Sequence, residues 1–105
     1  MATAVPKKIK IGHYIFDVCN MTKDLRKHGE VFGVCDQTKQ KIHIDVTATP
    51  AVLRDTLLHE IMHGVYWMFN LEDENKEEKI VSSLATGLLA VFRDNPEVAK
   101  FLMEK

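Results

Sequence analysis

His59-Glu60-Ile61-Met62-His63 puts two imidazoles and a carboxylate within five consecutive residues. On a helix, residues four apart stand one turn apart on the same face, so both rings can address one ion. Neutral imidazole suits zinc, with ring nitrogens at roughly 2.0–2.1 Å from it. Zinc lowers the pKa of water toward about 7. Glu60, beside the first ligand, is placed to take the released proton and pass it to a leaving group. The expected chemistry is hydrolysis by a metal-activated water, with zinc as cofactor and Glu60 as general base. The same spacing arises by chance on amphipathic helices. Here, however, it interrupts the apolar run Leu57 to Phe69, where each buried group without a partner costs roughly 1–3 kcal/mol. An ion in an aqueous cleft removes that cost.

A catalytic zinc needs a third protein ligand. His13, His28 and His43 all lie upstream of the pair, so no histidine follows it. The acids that follow are Glu72, Asp73, Glu74, Glu77 and Glu78. At about 100° per residue, Glu77 projects from the centre of the stripe formed by Ile80, Val81, Leu84, Leu88 and Val91. Glu77 is therefore the expected third ligand. Glu78 points to the stripe's edge and Glu74 precedes regular helix; both stay open as alternatives. The helix dipole favours an acidic first turn, which accounts for acids there but not for this phase.

These side chains need elements to hold them. Thr49-Pro50 gives a hydroxyl cap followed by proline at the first helical position, and the helix should run to about Phe69 or Asn70. It is apolar nearly all round, as suits a helix covered on several sides. A second long helix should start near Asn75, which has capping-box spacing with Glu78, and reach about Arg93. Asn95-Pro96 ends it, since the residue before proline avoids the helical region; Pro96 to Met103 supplies a last turn or two. Upstream, Ile9 and Ile11, then Tyr14, Phe16 and Val18, read as a hairpin broken around Gly12-His13. Residues 20–29 read as a loop or short helical turn. Glu30 to Cys35 and Lys41 to Val46 read as two strands joined by Asp36 to Gln40. Ile42, Ile44 and Val46 alternate with His43 and Asp45, the rhythm of a half-buried strand. The expected fold is α+β: a small, mainly antiparallel N-terminal sheet, a central histidine helix and a second long helix.

Composition sets the outer bounds. With 105 residues, 46% hydrophobic and 28% charged, the chain reads as a single domain, residues 1–105, of ordinary composition. A net charge of -1 predicts no nucleic-acid footprint. Lys7, Lys8 and Lys10 read as a solvated end. No apolar run reaches the roughly 18–20 residues of a membrane span, and the start lacks the order of a secretory signal. Cys19 and Cys35 show no Cys-x-x-Cys spacing and read as small core residues, with a bridge left open. A reduced, cytoplasmic setting is expected.

Thr56-Leu-Leu-His-Glu-Ile-Met-His-Gly64, followed by a helix with an acidic ligand, resembles the gluzincin branch of zinc metallopeptidases. More closely, the chain resembles small zincin-like proteins of bacteriophages and prophages. The likeness includes Gly33-Val-Cys-Asp36, Ile42-His-Ile-Asp45 and Arg93-Asp-Asn-Pro96, and spans most of residues 9 to 96; only the histidine helix is specific. It implies a minimal zincin-like domain with His59, His63 and Glu77 as ligands and Glu60 as general base. It also implies a peptide or protein substrate, host-cell cytoplasm as the location, and Ile42 to Val46 as the strand along the cleft.

Tyr66 shares the ligand face, either donating to a developing oxyanion or anchoring the core. His43 reads as exposed or cleft-lining, Asp55 as an exposed charge or a partner for His59. Trp67, Met68 and Phe69 read as core, and Gly64 as allowing close packing or access. Two other functions remain open. One is a non-catalytic binding protein whose zinc only ties the helices, where Glu60 would have no task. The other is a metal-dependent amidase acting on a non-protein substrate such as cell-wall peptide. Oligomeric state is not legible.

Overall fold

A computed structural model describes residues 4–21, 33–72 and 76–104. Among the described residues four strands, β1 (Lys8–Ile11), β2 (Tyr14–Asn20), β3 (Gly33–Asp36) and β4 (Lys41–Ile44), precede three helices. These are α1 (Pro50–Met68), α2 (Glu77–Asp94) and α3 (Pro96–Met103). The sheet order is β1-β2-β4-β3. β1–β2 and β3–β4 pair antiparallel, whereas β2–β4 pair parallel. The fold is α+β, with a mainly antiparallel sheet.

Local chemistry explains the elements. Gly12, with φ of 63°, opens the two-residue β1–β2 turn, the position where a type II′ hairpin requires glycine. Ile9, Ile11, Phe16, Ile42 and Ile44 are fully buried on one sheet face. They meet Leu53, Leu57, Ile61 and Val65 of α1 in a single core that Val91, Val98 and Phe101 complete. β4 ends at Ile44, short of the expected Val46. Asp45 Oδ1 accepts from the Thr47 amide at 3.0 Å and its hydroxyl at 2.6 Å, a local turn that competes with the ladder. Of the segment read as a loop, residues 20–29, Asn20 instead ends β2, and residues 22–29, with His28, lie outside the described residues, as do residues 30–32.

β4 is not the strand along an open edge. It pairs with β2 on one side and β3 on the other, which leaves β3 with one unpaired side among the described strands. The sequence rhythm reports which face is buried but not the order of strands, so it cannot identify an edge. Cys19 pairs with His43 and Cys35 with Ile42. Neighbouring positions on β4 point to opposite faces, so the two thiols sit on opposite sides of the sheet and both are free.

α1 begins as expected: Thr49 Oγ1 accepts from the Val52 amide at 3.4 Å, with Pro50 first in the helix. It ends at Met68, and Asn70 takes a left-handed φ of 52°. α2 starts one residue later than the capping-box reading. Its N-cap is Lys76, with no side-chain cap bond, and Asn75 lies outside the described residues. Asn95, 4% exposed, joins the helical layer to the sheet. Its Nδ2 donates to the carbonyls of Lys10 (2.8 Å) and Val91 (2.7 Å), and its Oδ1 accepts from the Lys10 amide at 2.9 Å. Among the described residues no helix is long and apolar enough to cross a membrane.

Candidate metal centre

α1 lays Leu53, Leu57, Glu60, Ile61, Gly64 and Val65 against its neighbours, a spacing of three and four that fixes its rotation. That rotation carries His59 and His63 to an exposed flank. Gly64 lets α1 approach β1 closely, since a Cβ there would stand 2.7 Å from Ile11 Cδ1. Gly87 does the same between α2 and α1: a Cβ there would press on Val65 and Phe69. Of the two roles expected for Gly64, close packing is the one observed.

The Nε2 atoms of His59 and His63 lie 3.1 Å apart, with the rings nearly perpendicular at 70°. Two imidazoles bonded to one tetrahedral zinc at roughly 2.0–2.1 Å would hold their nitrogens about 3.3 Å apart. The observed separation is compatible with two nitrogens sharing one ion, and also with a hydrogen bond from one imidazole to the other. A cavity of about 370 Å³ opens there, lined by His59, Met62, His63, Tyr66 and Leu84. Its walls are apolar and its polar atoms few, a common pattern in small-ligand sites. A neighbouring cavity of about 320 Å³ includes His63, Tyr66 and Glu72 in its lining.

Glu60 is 5% exposed and lies on the sheet side of the pair, against β3. A Cβ at Gly33 would stand 3.1 Å from Glu60 Oε2 and 2.6 Å from Thr56 Cγ2. The missing side chain at Gly33 is thus what makes room for the carboxylate. Burial pushes the Glu60 carboxyl above its ordinary range, while nearby His63 and then His59 pull it back. A carboxyl whose proton affinity is raised beside two metal-type ligands is suited to accept and return a proton.

The third predicted ligand is not gathered with the other two. Glu77 is exposed in the first turn of α2, and among the described residues no three His, Cys, Asp or Glu side chains form a group able to hold an ion. Glu77 does precede the cavity wall residue Leu84 by seven positions, close to two full turns, so both project from the same side of α2. Glu78 is exposed too; Glu74 lies outside the described residues. Tyr66 lines both cavities beside the histidines. Asp55 is exposed. Trp67 packs on Tyr14, ring centroids 4.8 Å apart, and with Met68 and Phe69 rests on the core. His43 sits on the sheet face opposite α1, its Nδ1 enclosed without a hydrogen-bond partner among the described residues. The roles of Met62, Leu84 and Gly33 are not legible in the sequence, because two look like packing and the third like an ordinary strand residue. Comparison with protein-family models, with curated proteins and with solved structures gave no match.

Proposed function

We propose that this chain is a zinc-dependent metallopeptidase of the zincin-like type, hydrolysing peptide bonds. The observation that carries the reading is the 3.1 Å convergence of His59 and His63 Nε2 with a buried carboxylate on the adjacent residue. His59 and His63 hold the ion, and an acid from the start of α2, Glu77 by its phase, completes the set. Zinc supplies Lewis acidity there, polarising a carbonyl and acidifying water. Glu60 takes the proton from the attacking water and delivers it to the departing amine. The apolar walls from Met62 and Leu84 hold the substrate and limit solvent, and Tyr66, which lines the same cavity, is the candidate donor to the carbonyl oxygen as charge develops. The two free thiols suit a cytoplasmic setting.

The test is zinc analysis of the purified chain with a chelator-controlled digest of a peptide library. Stoichiometric zinc, with cleavage that stops in Glu60→Gln while zinc stays bound, supports the reading. Stoichiometric zinc without cleavage of any peptide moves the site to a structural role. Cleavage confined to cell-wall peptides makes the chain an amidase. Absence of zinc binding removes the reading altogether.

A further inference from the structure

α2 carries apolar residues around more of its circumference than the core consumes. Gly87 and Val91 are its buried positions. At about 100° per residue, Val81, Ala85, Leu88, Leu89 and Phe92 fall within an arc of about 100° beside that core-facing side. Val81 is 53% exposed and Leu89 52%; Ala85 is exposed, Leu88 and Phe92 half-buried. α2 packs on α1, β1 and α3, and these contacts leave the second arc open among the described residues. Single exposed apolar residues are ordinary, but a continuous stripe over three turns marks a docking surface.

We propose that this stripe is an interface between two copies of the chain, with the two α2 helices antiparallel across a two-fold axis between Ala85 and Leu88. An isologous contact requires a self-complementary patch. About that axis Val81 answers Phe92 and Ala85 answers Leu88, so apolar residues face apolar residues at these positions. The charges decide the direction. Glu78 and Arg93 lie to the same side of the stripe's midline, at about 60° and 120° from Val81 by helical phase, Glu78 inside the apolar arc and Arg93 beyond its edge. A two-fold axis sets that side beside its own copy. With a rise of about 1.5 Å per residue, Glu78 of one copy then comes within about 3 Å, along the axis, of the level of Arg93 in the second copy. A parallel pairing would hold each Arg93 about 22 Å along the axis from either Glu78, so the opposite charges could not meet. Antiparallel α2 dipoles also place each acidic first turn near the other helix's basic last turn. The interface does not depend on the metal reading.

The experiment is sedimentation equilibrium of the full chain over a range of concentrations, with far-UV circular dichroism as the check on folding. The expected result is a reversible dimer in the native chain and a monomer with an unchanged spectrum in Val81→Asp/Leu89→Asp. Arg93→Glu and Glu78→Arg should each raise the dissociation constant several-fold, and the double exchange should bring it back. Should the apolar variant unfold, oxidised Ala85→Cys answers instead: a covalent dimer is expected, since the two positions meet near the axis. A native chain that stays monomeric at every concentration overturns the proposal. So does a dimer indifferent to both charge reversals, or an Ala85→Cys chain that forms no cross-link.

Discussion

His59 Nε2 stands 3.1 Å from His63 Nε2, a separation set by one turn of α1 and by the burial of Leu57, Ile61 and Val65 on its other side. Rings held at this spacing by one helix turn can share one ion, so zinc binding should stabilise the fold. Zinc at about 100 times its dissociation constant should raise stability by roughly 2.7 kcal/mol. His59→Ala and His63→Ala should each abolish most of that gain, and the double variant should lose hardly more than either single one. Thermal melts with and without zinc measure this. Additive losses would mean that the rings act at separate sites.

Gly33→Ala should damage the site without touching a ligand. The new methyl would meet Thr56 Cγ2 at 2.6 Å and Glu60 Oε2 at 3.1 Å, and overpacking of this kind costs roughly 1–3 kcal/mol. The carboxylate must then move, so peptide turnover should fall while zinc content holds. Adding Thr56→Ser removes the methyl that clashes and should recover part of the stability. Unchanged kcat in Gly33→Ala would detach Glu60 from its observed position in catalysis.

That dependence of Glu60 on Gly33 shows where the sequence stops being informative. Periodicity located β1, β2, β4 and both long helices, because burial on one face writes itself into every second or every third and fourth residue. The histidine spacing located the paired imidazoles for the same reason: four residues make about one turn. Strand order leaves no such trace. The β2–β4 parallel pairing puts β4 inside the sheet and β3 at an edge, and nothing local to Ile42-His43-Ile44 records it. The cavity walls were equally hidden, since Met62 and Leu84 carry the same apolar signal as core residues. Glu77 was chosen by phase alone, and phase fixes direction around a helix but not the distance to a neighbouring one.

The acids near α2 can be ranked by metal affinity. Glu77 shares its side of the helix with the cavity wall Leu84, whereas Glu72 lines a cavity with His63. Glu77→Ala should weaken zinc binding at least tenfold, about 1.4 kcal/mol or more, with Glu72→Ala and Glu78→Ala changing it less than threefold. Competition against a chromophoric chelator gives the constants. If Glu72→Ala has the larger effect, the ligand assignment shifts to the segment between the helices.

Asn95→Ala should be among the most destabilising changes outside the apolar core. Its side chain makes three hydrogen bonds between 2.7 and 2.9 Å, to Lys10 twice and to Val91, at a position only 4% exposed. Losing them leaves the Lys10 backbone unpaired at the sheet's β1 end, for a loss of roughly 2–4 kcal/mol. Asn95→Asp keeps the acceptor but not the donor and should fall between. Urea denaturation reads both. A loss below about 0.5 kcal/mol in Asn95→Ala, the scale of an ordinary surface change, would show that water replaces the link between the sheet and the α2–α3 corner.

Cys35 gives stability an alkaline slope. Burial between β3 and α1 pushes its thiol from 9.0 up to about 12, with the Glu60 and Asp36 carboxylates pushing the same way. The unfolded chain sheds this proton first, near 9, so between about pH 9 and 12 the folded state holds the extra proton. Stability therefore falls as pH rises through that window and is fully present below it. Cys35→Ala removes the group from both states, and the difference in urea midpoint between it and the native chain should change steadily from pH 8.5 to 10.5. In the same window alkylation of Cys35 should stay far slower in the folded chain than in urea, because the reactive thiolate is scarce. A midpoint difference that stays flat with pH would show that the thiolate is tolerated beside Glu60, and with it that this side of the site is wetter than the packing of Gly33 and Gly64 implies.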